Sequence, residues 1–280
     1  MKSALKWDSL TIKRPGLTRN IPNGNEDLMW VANTSTLIYG DEEAILVDTF
    51  LTIEQNDKLI EWIKSHQKRL TAIYVTHAHG DHFFGLGQIR KHFPEVKLLG
   101  TAEVAASTKE QLLSPAIETF WKALFPGQIP TELAAVEPVS GDVIELEGHE
   151  LQIIRTGHTD IIDSTCLWVP SARLLLAGDV VYNGIHSYLG ETTRESRIQW
   201  INTLRQLEQL GAEAVIVGHK VPEFPDDPAV IRKTREYLET FNTLENETHT
   251  AAELYSAMLD RYPDYVNPGS LWGAVNKVKQ

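Results

Sequence analysis

Thr76-His77-Ala78-His79-Gly80-Asp81-His82 sets three imidazoles and a carboxylate within six residues, directly behind the run Thr71 to Val75. That short, partly β-branched run reads as a buried strand. Four ligand-type side chains so close together cannot share one face of a regular element, whereas a loop at a strand end can fan them around more than one ion. Imidazole and carboxylate suit zinc, iron or manganese, and the lack of a thiolate argues against a purely structural zinc site. Gly80 is expected to let the backbone turn sharply between His79 and Asp81.

Further along, Thr156-Gly157-His158, Gly178-Asp179 and Gly218-His219 repeat one pattern. An apolar strand ends, and glycine directly precedes a ligand-type side chain, leaving room for an ion or for neighbouring backbone. The candidate metal ligands are therefore His77, His79, Asp81, His82, His158, Asp179 and His219. A single histidine in an apolar setting is ordinarily a packed core residue; an ordered set of this kind is not. His66, His92, His149, His186 and His249 keep the ordinary reading, with His186 read as a surface residue in preference to a pocket donor.

Around these motifs, Ser35 to Tyr39 and Ala44 to Val47 read as a hairpin about Gly40-Asp41-Glu42-Glu43. Ile53 to Lys68 has helical spacing with Thr52 as N-cap. A helix is expected from Phe84 to His92, a strand at Val96 to Leu99, and helix from Ala102 to Phe125 broken at Pro115. Strands follow at Val143 to Leu146, Glu150 to Arg155, Thr165 to Val169, Arg173 to Ala177 and Ala214 to Val217. Between the last two lies the amphipathic helix Glu195 to Leu210. Helices at Pro228 to Phe241 and Thr250 to Arg261, the latter capped by Thr248 or Thr250, complete the pattern. Two β-rich halves flanked by helices imply paired sheets covered on the outside, an α/β class. With no repeat and no low-complexity linker, residues 1–280 read as a single domain. It carries a helical insert at about 102–130 and a helical C-terminal extension at about 248–280.

The net charge of −12 repels phosphate backbones, so a small-molecule substrate is expected and nucleic acid is not. No apolar run is long enough to span a bilayer, and no membrane partner is expected. Met1 to Ser9 is polar rather than signal-like, and Cys166 is the only cysteine, which together predict a cytoplasmic protein. The aromatics between Tyr262 and Trp272 are candidates for packing on the body or on a second copy in a homodimer.

The His-x-His-x-Asp-His loop with its later His, Asp and His resembles the metallo-β-lactamase superfamily, whose dinuclear ligand positions are all filled here between His77 and His219. The resemblance implies a four-layer αββα sandwich with the site at one sheet edge. It also implies two divalent cofactor ions, zinc first and iron or manganese as alternatives. His77, His79 and His158 would hold one ion and Asp81, His82 and His219 the other, with Asp179 bridging. Asp81 is then a catalytic candidate, orienting a nucleophilic hydroxide and later moving a proton. Asp48 would support the ligands by hydrogen bonds, although Phe50 stands where the family usually has glycine. Tyr182, three residues beyond Asp179, matches the tyrosine that quorum-quenching lactonases of the superfamily aim at the substrate carbonyl. Phe120 to Phe125 reads as a lid or pocket wall, or as helix packing or a dimer contact; Phe83 and Phe84 line or support the site.

The expected function is hydrolysis of a small-molecule ester, a lactone foremost. Some true β-lactamases carry cysteine where Asp179 stands. The glyoxalase-type thioesterases follow the third ligand histidine with Thr-x-Gly-His, where this chain has Thr159-Asp160-Ile161-Ile162-Asp163. The alternatives are β-lactam or cyclic-amide hydrolysis, phosphoester hydrolysis, and, in another class, a mononuclear iron redox or sensing protein on the same fold.

Overall fold

The computed structural model describes residues 4–15 and 29–279. Strands β1 (Lys6–Pro15), β2 (Met29–Tyr39), β3 (Glu43–Val47), β4 (Arg69–Tyr74), β5 (Lys97–Gly100) and β6 (Glu137–Pro138) form one half of the sheet. Strands β7 (Val143–Leu146), β8 (His149–Gly157), β9 (Ser164–Val169), β10 (Leu174–Asn183) and β11 (Ala214–Lys220) form the other. Hydrogen bonding runs continuously in the order β6-β5-β4-β3-β2-β11-β10-β9-β8-β7, with β1 also on β2. The halves meet where Asn33 of β2 pairs with His219 of β11.

Three apolar layers give the sandwich its thickness. Ile38, Ile45, Val47 and Tyr74 of the first half interlock with Leu146, Leu151, Leu167 and Leu176 of the second. The opposite face of the first half, including Leu37, Leu46 and Ile73, is covered by α1 (Ile53–Ser65), α2 (Gly80–Phe83), α3 (Leu86–His92) and α4 (Ala102–Leu113). Beyond α4 the chain makes a wide turn at Ile117–Trp121 and one helical turn, α5 (Lys122–Leu124). The outer face of the second half packs under α6 (Arg194–Glu208), α7 (Ala229–Glu247), α8 (Ala251–Arg261) and α9 (Pro268–Val278). The result is an αββα arrangement. Burial on both faces is why Leu174 to Asn183 is buried throughout instead of alternating.

Local expectations hold at several ends. Thr52 caps α1 with a reciprocal bond to Gln55, and Thr250, not Thr248, caps α8 with Glu253. The helix from Ala102 stops at Leu113, just before Pro115. The expected helix from Phe84 instead divides into α2 and α3. The polar segment from Lys6 forms a strand because β2 offers an unpaired edge, with Leu10 and Ile12 turned to the apolar layer. Tyr262 and Tyr265 stack around Tyr237, and Trp272 packs on Tyr255, so these aromatics cover the body. Among the described residues, no helix is long and apolar enough to cross a membrane.

Candidate metal centre

Asp48 organises the ligand loop from the end of β3. Its φ of 59° is a left-handed conformation that aspartate tolerates better than most residues. This turn aims its carboxylate at the loop, where it accepts the Thr76 N–H at 2.8 Å, the Thr76 hydroxyl at 2.8 Å and His82 Nδ1 at 3.0 Å. The Thr76 hydroxyl has one proton, already directed to Asp48, so it accepts from His77 Nδ1 at 3.0 Å. His219 Nδ1 lies 3.0 Å from the Ala32 carbonyl, which can only accept. The partners thus assign a proton to Nδ1 of His77, His82 and His219 and leave Nε2 of each facing the centre.

His79 is oriented the other way. Its Nδ1 lies 3.0 Å from Asp160 Oδ2, and its Nε2 lies 3.3 Å from Glu191 Oε1. Asn33 fixes Asp81 by donating from Nδ2 to its carbonyl at 3.2 Å and its Oδ2 at 3.1 Å. Asp179 Oδ1 sits 3.3 Å from His82 Nε2, and its Oδ2 sits 3.1 Å from His219 Nε2. Asp179, whose carboxylate also groups with His77 and His79, therefore reaches both sets of donor atoms.

Two glycines make the approach feasible. A Cβ on Gly218 would fall 2.1 Å from Asp179 Oδ1, and one on Gly178 (φ 51°) would fall 2.7 Å from Thr76 Oγ1. Gly80 works differently from the expectation. Its φ is not left-handed; it makes room for the Phe84 ring, which a Cβ would approach to 2.6 Å.

The donor atoms fall into two groups, His77, His79, Asp160 and Asp179 in one, Asp81, His82 and His219 in the other, each with its atoms within 4.8 Å of one another. Ligands about 2.0–2.2 Å from a shared ion lie at most about 4.4 Å apart, so each group needs only a small contraction to hold one. The buried atoms His77 Nε2, His82 Nε2, Asp160 Oδ2 and Asp179 Oδ1 have no hydrogen-bond partner. Only the charge contacts described above offset their burial, and bound cations would satisfy them directly. The residues fit divalent metal ions.

The charge distribution agrees. Burial opposes charge on His82 and His219, but Asp179, with Asp48 beside His82 and Asp81 beside His219, drives both pKa values up. His79 is likewise raised against its burial by Asp160 and Glu191. His77 goes the other way, to about 4, because burial and the neighbouring His82 outweigh Asp160 and Asp179. Asp179 lies well below the usual carboxylate range: burial pushes it up, and His219 and His82 overcome that. A pocket that holds carboxylates ionised and attracts protons to imidazoles also attracts metal cations, which displace those protons on binding.

Of the seven residues expected to bind metal, the fold brings six together. His158 stands apart, half-buried after β8, with Nε2 donating to the Glu191 carbonyl at 3.0 Å. Asp160, two residues on, occupies the corresponding space between His77 and His79. Asp160, Glu191 and Asn33 were missed by sequence reasoning. Asp160 carried a signal, an acidic residue in the turn where an apolar strand ends; Glu191 carried none.

Tyr182 is in register with His219, is buried, and donates from its hydroxyl to Asp179 Oδ2 at 3.1 Å. Burial, then Asp179 and Asp160, raise its pKa well above the ordinary phenol value, which keeps it a donor at neutral pH. His186 is not on the surface as expected. It is fully buried under the C-terminal helices with Nδ1 3.1 Å from the Tyr237 hydroxyl. Phe83 and Phe84 are core residues that support the loop. Phe120 and Trp121 wall a cavity of about 510 Å³ that opens onto His79, Asp81, Asp179 and His219 and is also lined by Gly273 of α9. Leu124 and Phe125 pack into the core instead.

With the fold and the centre in view, the comparisons agree: the sequence profile of the metallo-β-lactamase superfamily matches residues 28–219, and the chain belongs to that superfamily. A hydroxyacylglutathione hydrolase of Francisella tularensis subsp. novicida is 27% identical over 160 residues, covering 55% of this chain and 51% of its own. An atrochrysone carboxyl ACP thioesterase of Aspergillus fumigatus is 23% identical over 261 residues, covering 86% and 72%. The chain spans about half the length of the hydroxyacylglutathione hydrolases it matches. Among solved structures, a metallo-β-lactamase family protein from Thermus thermophilus superposes with a TM-score of 0.63 at 17% identity, over 98% of this chain and 93% of its own. That likeness is one of fold.

Proposed function

We propose that this protein is a metal-dependent hydrolase of small, uncharged carbonyl esters, with lactones as its foremost substrates. The observation that carries the reading is the convergence of buried imidazoles and carboxylates beside a largely apolar cavity, which His79, Asp81, Asp179 and His219 line. Two divalent ions bound there, zinc by preference, would polarise the ester carbonyl and supply a water of lowered pKa.

The chain's own groups set the rest. Asp81, held by Asn33, presents its carboxylate toward His219 and the cavity, where it can orient the attacking water and carry its proton to the leaving oxygen. Tyr182 lines the cavity with a phenol that stays protonated; turning its one proton from Asp179 Oδ2 would let it donate to the carbonyl oxygen as negative charge develops there. Phe120, Trp121 and the bare Gly273 surface accept the apolar body of the substrate and exclude water from it. The charged groups lining the cavity, among the described residues, are carboxylates and ligand histidines. That suits a neutral ester better than the anionic β-lactam, glutathione or phosphate groups.

A second reading, thioester hydrolysis, is favoured by the likeness to the hydroxyacylglutathione hydrolase and the ACP thioesterase. The purified, metal-quantified chain should be assayed against lactones, linear esters, thioesters, β-lactams and phosphoesters. Turnover of neutral lactones with kcat/KM at least tenfold above the other classes is expected. Turnover confined to thioesters would install the second reading, and turnover confined to phosphoesters would overturn both.

A further inference from the structure

We propose that Asp160, and not His158, completes the protein ligand set of the first ion, making that site two imidazoles and two carboxylates. The inference rests on the two-ion reading above. Asp160 is fully buried, and its two oxygens have divided tasks. Oδ1 accepts the Thr159 hydroxyl at 2.9 Å and the Ser164 hydroxyl, shared with the Ile161 carbonyl, at 3.3 Å. Oδ2 has no hydrogen-bond partner and points between His77 Nε2 at 3.6 Å and His79 Nδ1 at 3.0 Å. One oxygen anchored by hydroxyls and the other left bare is the arrangement of a monodentate metal ligand oriented by its surroundings.

His158 shows the opposite. It is part-exposed, and its Nε2 is spent on the Glu191 carbonyl. The same residue's side chain holds His79 Nε2, so Glu191 braces both histidines, one toward the centre and one away from it. The local chain supports this division. Gly157 turns at φ 74°, and the Thr159 N–H bonds back to the Ile161 carbonyl, a tight turn that swings Asp160 inward.

The chemical consequence is a third carboxylate around the ion pair, with Asp81 and Asp179, in place of an imidazole. Carboxylate oxygen is the harder donor, so the first site should hold manganese better relative to zinc than a three-histidine site does.

The full-length chain, stripped with a chelator, should be titrated with Zn²⁺ by calorimetry, with bound metal counted by mass spectrometry. Wild type binding two ions upholds the two-ion reading; wild type binding none sinks that reading itself, and this inference with it. Given two, Asp160→Asn, nearly isosteric, is expected to keep one ion and to weaken the other at least a hundredfold. His158→Ala is expected to keep both with affinities within threefold of wild type. Loss of an ion from His158→Ala, or retention of both at wild-type affinity by Asp160→Asn, overturns the assignment. If Asp160→Asn does not fold by circular dichroism, His158→Ala decides alone: two ions support the assignment and one refutes it.

Discussion

Replacing Asp48 by asparagine tests how far the centre depends on a residue that touches no ion. Asparagine tolerates the left-handed backbone at this position, so the turn at the end of β3 survives and the side-chain shape is kept. What changes is hydrogen bonding. Oδ1 must still accept the Thr76 N–H, which forces the new NH₂ group to face the Thr76 hydroxyl and His82 Nδ1. Two donors then confront a donor. Relief comes if His82 moves its proton to Nε2 and the Thr76 hydroxyl turns its proton onto His77 Nδ1. Each shift puts a proton on the very nitrogen that faces the centre.

His77 and His82 belong to different ligand groups, so both ions should weaken. Loss of an outer partner of this kind costs about 10–100-fold in metal affinity, or about 1.4–2.8 kcal/mol for each ion. Competition between the stripped protein and a chromophoric chelator for Zn²⁺ measures both constants. Asp48→Asn that folds and binds both ions within threefold of wild type would refute the tautomer argument.

Other outcomes follow from the same geometry. Removing the Asp81 carboxylate should lower kcat by about 10²–10⁴-fold while the ion of the His77 group stays bound; unchanged turnover would exclude its proposed role. Tyr182→Phe should cut kcat about 10²-fold with metal content unaltered, and a normal kcat would leave the phenol merely packed. Gly273→Leu projects into open space from a helix that gains propensity by the change, so the fold should hold. KM for bulky esters should rise about tenfold, with small acetate esters unaffected, and equal effects on both would remove Gly273 from the substrate wall. Arg197 is fully buried and bonds Glu245 at 2.6 Å and Asn242 at 2.7 Å, tying α6 to α7. Its loss strands part of that network, so Arg197→Ala should cost about 3 kcal/mol, roughly 6–12 °C in Tm by calorimetry.

The sequence alone determined the elements and most of the centre. A buried strand followed by His-x-His-x-Asp-His, and three glycine-preceded side chains at later strand ends, are local patterns, because strand ends and glycine turns are decided by near neighbours. Caps such as Thr52 and the stop at Pro115 were legible for the same reason. Only the tertiary structure decided which nitrogen each imidazole offers, since that depends on Asp48, Thr76 and the Ala32 carbonyl, brought beside the rings by pairing of distant strands. It also decided that Asp160 faces inward while His158 faces Glu191. Both occupy one short turn, and nothing in their spacing says which way each points; the direction is set by contacts with the segment leading into α6, 33 residues beyond His158.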